Sequence, residues 1–144
     1  MPIQKKTGSS VLGFCFPAVL TGIAMFFACG ENSVGTQTPA GLSSGTFTAI
    51  KAEVFTPKCA LSGCHNGPEA PNLRASVAYN NIVNKPSGPG LDYIEPGSSA
   101  NSYLFKKLTG TGISGTIMPR GASPLSAATI DSIRAWIERG ATNN

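Results

Sequence analysis

Residues 47–144 are cut into short pieces by glycine and proline, and this limits what the chain can become. Asn84–Gly97 holds three Pro and three Gly, and Thr109–Pro124 forms a second Gly- and Pro-rich stretch with Met118-Pro119 inside it. Both read as loops. The apolar pattern between them is helical rather than alternating. Phe47, Ile50 and Val54 fall at i, i+3 and i+7, and Pro57 is expected to end that helix. Leu73, Val77, Ile82 and Val83 predict a short helix between Asn72 and Val83. Ser98 or Ser99 is expected to cap a helix carrying Tyr103, Leu104 and Leu108. The last segment is the clearest. Ser126 is a good N-cap, Ile130, Ile133 and Ile137 share a face beside Trp136, and Gly140 suits the position after the helix. The expectation is an all-α domain of three to four short helices and long loops. Its apolar residues are few for a self-sufficient core, so a disulfide, a metal or a cofactor should fill the centre.

The whole chain of 144 residues has room for one domain. Its start reads as an address. A basic Met1–Lys6 leads into the uncharged run Val11–Ala28, and Cys29 follows. Phe26-Phe27-Ala28-Cys29-Gly30 resembles the lipobox of bacterial lipoproteins, with Phe26 where that motif usually carries Leu. The resemblance implies cleavage after residue 28 and lipid on Cys29. Plain secretion and an uncleaved anchor are the alternatives the residues leave open. Each puts the rest of the chain on the exported side, at the periplasmic face of a bacterial membrane if the lipoprotein reading holds. Residues 29–46, polar and rich in Gly, Ser and Thr, predict a flexible tether to a domain over 47–144.

Lys5 and Lys6 are two of the eleven basic residues, and the other nine against seven acidic ones leave only +2. No basic run remains, which argues against a nucleic-acid partner. There is no G-x-x-x-x-G-K-[ST] loop, and Gly110–Gly115 follows no strand, so it reads as plain loop. No Ser/His/Asp order is present. An enzyme with a small-molecule substrate is therefore not expected.

The chemistry concentrates in Cys59-Ala-Leu-Ser-Gly-Cys64-His65, a C-x4-C-H pattern containing the chain's one histidine. Cys15 would leave with the signal. Cys59 and Cys64 would then be the thiols of an oxidising compartment, where free thiols do not persist. A related pattern, C-x-x-C-H, is the attachment signature of c-type haem. Ser62 and Gly63 would let the longer spacing loop out. Met118 is the one methionine after the signal, in a loop before the last helix. A His/Met pair on iron suits electron transfer. A plain Cys59–Cys64 disulfide, or a zinc site completed by Glu69, Asp92 or Glu95, would also use these residues.

The order of these features resembles the class I cytochrome c fold. The C-x4-C-H spacing, Asn81-Ile82-Val83-Asn84, Glu95-Pro96-Gly97 before Ser102-Tyr103-Leu104, Met118-Pro119 and Ala135–Ala141 resemble small exported bacterial c-type domains. The resemblance spans about residues 47–142. It implies one haem c held covalently by Cys59 and Cys64, with His65 and Met118 as axial ligands. It implies packing of the first helix on the last, pairing Ile50 and Val54 with Ile133 and Trp136. It also implies redox proteins as partners. A haem-based sensor and a cofactor-free, disulfide-stabilised interaction domain are the competing readings. Under the haem reading, a carbonyl of Pro68 or Pro71 is expected to take the second ring N–H of His65. Arg74, Tyr93, Tyr103 and Arg120 are candidate partners for the haem propionates.

Overall fold

A computed structural model describes residues 40–144. The expected signal segment 1–28, the lipidation candidate Cys29 and residues 30–39 of the expected tether lie outside the described residues. Four α-helices follow in order: α1 (Phe47–Ile50), α2 (Ala78–Ile82), α3 (Tyr103–Thr109) and α4 (Ala127–Glu138). There is no strand among the described residues, only isolated bridges pairing Val83 with Ile94, Pro86 with Asp92 and Glu95 with Ser98. The all-α expectation therefore holds for them. None of their helices is long and apolar enough to cross a membrane.

The first turn of α1 is closed from both sides. Thr46 caps it by accepting from Ala49 N at 3.2 Å. Two further orphan N–H groups, those of Phe47 and Thr48, donate to Asn144 Oδ1 and Asn144 O, each at 2.9 Å. The helix then does not stop before Pro57. It continues as a π-wound segment, Lys51–Cys59, with Pro57 inside. The bonds there are of the longer π type, as where Ala60 N donates to Phe55 O at 2.7 Å. Pro57 has no N–H to donate in either winding, so the segment passes it one hydrogen bond short. Cys59 thereby becomes the last residue of a helical element.

Two other elements differ from expectation. The second helix occupies only Ala78–Ile82, because Leu73 N is tied back to His65 O and Arg74 O opens a turn, accepting from both Val77 N and Ala78 N. Neither Ser98 nor Ser99 caps α3. Residues Ser99–Asn101 form a separate 3₁₀ turn and Ser102 precedes α3. The fully buried Ser102 hydroxyl accepts from Glu95 N at 2.9 Å and donates to Ser98 O at 2.8 Å. Gly97 closes the turn below it with a left-handed φ of 83° and donates its N–H to Ile137 O.

Helix α4 matches its reading. Ser126 Oγ accepts from Thr129 N, and Gly140 follows the helix at φ 95°. Ile133, Trp136 and Ile137 are buried, and Ile130 is partly so. Ile50, Val54, Ile133 and Trp136 join one buried cluster, in which Phe47 meets Trp136 with ring centroids 5.5 Å apart. Tyr79 packs edge-on against Phe47 and donates its hydroxyl proton to Ala141 O at 3.0 Å.

The folded domain begins earlier than residue 47. Residues 41–46, read as tether, lie on its surface. Gly41 sits so close to Ser132 and Ala128 that a Cβ would crowd them. Leu42 packs against the core, Ser43 binds the Glu53 carboxylate, and Gly45 O accepts from Arg139. Apolar Leu42 and the small residues around it supply this docking, which a polar composition alone conceals.

Ser99 also fastens the end of α4. Its N–H and hydroxyl donate to Glu138 Oε1 at 3.0 and 2.5 Å. These bonds, the hydroxyl's first, lower the Glu138 pKa below its ordinary 4.5. A lowered folded value means stability that is whole above the ordinary carboxylate range and lost as pH falls through the folded value. Glu138→Gln keeps an acceptor and removes the charge. It is expected to lower the melting temperature at pH 7, by a margin that narrows below about pH 4.5. Thermal unfolding at pH 7, 5 and 3 checks this, and an equal margin at all three would refute it.

Candidate functional site

The C-x4-C-H segment is closed by its own main chain. His65 N donates to Cys59 O at 3.1 Å, and Cys64 N to Leu61 O at 3.0 Å. Gly63 adopts φ 73° at the turn, and Leu61, Ser62 and Gly63 are exposed. The extra residues of the motif therefore project outwards, while its two ends stay together.

Cys59 is buried and Cys64 half-buried, and both are free thiols. Burial, then the nearby Cys64, pushes the Cys59 thiol up to about 11, against a smaller opposing effect of Lys58.

Two clefts meet at this segment. The first, with about 620 Å³ of empty space, is lined by Cys64, Leu61, Lys58, Arg120 and Pro119 among others. The second, with about 830 Å³, is lined by Phe55, Leu73, Leu104 and Leu108, with Tyr93, Tyr103 and Lys107 at polar positions. Cys59, His65, Glu69 and Met118 line both. Those four residues form the wall between the clefts. The structure thus brings together all four site residues read from the sequence within its described part.

His65 Nδ1 is buried and has no hydrogen-bond partner among the described residues. The acceptor expected from Pro68 or Pro71 is not engaged. Leu73 N instead ties to His65 O at 2.7 Å, closing a loop whose Pro68 lies on the outside. A buried donor or acceptor without a partner costs roughly 1–3 kcal/mol, which native cores seldom tolerate away from a working site. Of the propionate candidates, Tyr93 and Tyr103 line the second cleft and Arg120 the first, while Arg74 lines neither.

Among the described residues, no three His, Cys, Asp or Glu side chains converge to hold a metal ion. The donors gathered at the wall are instead a thiol, an imidazole and a thioether, with Glu69 as the one carboxylate and a second thiol, Cys64, in the first cleft. That set suits a soft metal centre carried by a larger group.

Lys107 was not legible as a site residue, since a lysine on a helix ordinarily lies in solvent. Here it lines the second cleft beside Met118.

Comparison of the chain with family models, with curated proteins and with solved structures gives no match.

Proposed function

We propose that the chain is a monohaem c-type cytochrome of the class I kind, exported and tethered through Cys29, which carries single electrons between redox proteins at the periplasmic side of a membrane. The observation that carries this reading is the shared wall of Cys59, His65 and Met118 between two clefts, with Cys64 lining the first. The donor set fits haem c. Cys59 and Cys64 would hold it covalently, and His65 and Met118 would ligate its iron.

When bound, the haem supplies the ferric–ferrous couple that takes up and returns one electron. The protein's part is to shield and to tune. Phe55, Leu73, Leu104 and Leu108 keep water from one side and lower the local dielectric. The neutral thioether of Met118 favours the reduced state and raises the potential. Tyr93 and Tyr103 offer hydroxyl donors for carboxylate arms. Leu61 and Ile117 are the large apolar residues left exposed among the described ones, and Leu61 lines the first cleft. Such a rim suits the weak, small contacts of redox partners.

The full-length chain is to be expressed with a cytochrome c maturation system and its reduced-minus-oxidised visible spectrum recorded. The expected result is a sharp c-type α-band from haem that survives acid–acetone extraction. A colourless product, in cells that mature a control cytochrome, would overturn the reading. Carbon monoxide binding readily to the ferrous form would replace electron transfer by ligand sensing.

A further inference from the structure

The loop that carries Met118 touches the core through only two partly buried side chains, Met118 and Leu125. No residue from Gly110 to Leu125 is fully buried. Gly110, Gly112 and Gly115 all adopt left-handed φ, so the sequence there favours freedom. Its hydrogen bonds are correspondingly few. Among the described residues, each bond that ties 111–125 to the rest of the chain begins or ends on Lys107. Lys107 Nζ donates to Thr116 O at 2.6 Å and to Ser114 O at 3.1 Å. Met118 N donates to Lys107 O at 2.8 Å, taking up a carbonyl that the last turn of α3 leaves without a helical partner.

The geometry points to Lys107 as the positioning residue for Met118: one side chain on α3 clamps the loop and so presents the methionine to His65. This rests on the haem reading for what Met118 does, but the clamp itself is a property of the chain. Leu104, Phe105 and Leu108 anchor α3 in the core, so the clamp is built on a fixed element. The ammonium ion is suited to it. It offers three donors and no acceptor, and charge-assisted bonds to carbonyls are stronger than neutral ones. The bonds hold the loop two and four residues before Met118. The main-chain bond then holds Met118 itself.

The test compares Lys107→Ala and Lys107→Arg with the wild-type holoprotein. Alanine preserves the helix and the main-chain carbonyl while removing the ammonium. Arginine restores donors that can reach the same carbonyls. Two readouts are taken, hydrogen exchange of the Met118 amide and the methionine-to-iron charge-transfer band of the ferric form. In Lys107→Ala, exchange of the Met118 amide should rise by about tenfold or more. The band should weaken by at least about half with haem content unchanged. Lys107→Arg should restore both. Unchanged exchange in Lys107→Ala would overturn the clamp. Faster exchange with a full methionine band would overturn its role in presenting Met118. A wild-type chain without covalent haem would instead overturn the reading of the site, and with it the ligand role.

Discussion

A chain with serine at both 59 and 64 is expected to be exported without bound haem and to unfold more readily than the wild type. A hydroxyl cannot form the thioether that a thiol forms with a haem vinyl group, so covalent attachment should vanish altogether. The loss of stability has a separate cause. The clefts on either side of His65 are lined by Phe55, Leu73, Leu104 and Leu108, and a domain this small depends on what fills them. Intact-mass measurement reads the first effect and thermal unfolding the second. Single variants divide the pair. Cys64→Ser should retain one thioether at the buried Cys59, and Cys59→Ser one at the more accessible Cys64. Covalent haem persisting in the double variant, or a melting temperature equal to wild type, would count against the site.

Trp136→Ala should be the most damaging change away from the site. The indole is 1% exposed, packs on Phe47 and donates Nε1–H to Thr142 O at 2.9 Å. Truncating it removes a large buried surface and leaves the Thr142 carbonyl without that donor. The expected cost is about 3–5 kcal/mol, much of the stability of a small domain. Trp136→Phe keeps a ring and loses the hydrogen bond, and should cost about 1–2 kcal/mol. Denaturant midpoints at constant slope give both values. A cost below about 1 kcal/mol for the alanine variant would show that the cluster around Phe47 is not the domain's main support.

The two ends of the domain were the most legible in the sequence, because helix period and capping residues agree there. Phe47, Ile50 and Val54 at one end, and Ser126, Ile133, Trp136, Ile137 and Gly140 at the other, sit where the pattern puts them. The middle was less legible. Pro57 reads as a stop, yet the π-wound segment runs through it with Val54, Phe55 and Cys59 buried on either side, and burial is not marked in the sequence. Ser98 and Ser99 resemble caps, but the buried hydroxyl of Ser102 determines the turn, and burial is a tertiary fact. At the site, Cys59, Cys64, His65 and Met118 were legible through their spacing and their rarity. The bare Nδ1 of His65 was not, since it depends on which carbonyls the loop beyond brings near. The lysine clamp was hidden for a similar reason. Its partners are main-chain oxygens, which carry no mark in a sequence.

The hydrogen bond from His65 N to Cys59 O has a consequence for how such motifs vary. It makes the distance between the ends of the motif a property of one closure, not of the number of residues strung between them. Residues 61–63 then behave like slack in a rope whose ends are already tied. Slack can be added or taken in at the exposed Leu61–Gly63 bend while the imidazole and the buried thiol keep their places. Two chains that count differently between their cysteines can therefore hold the same object in the same grip.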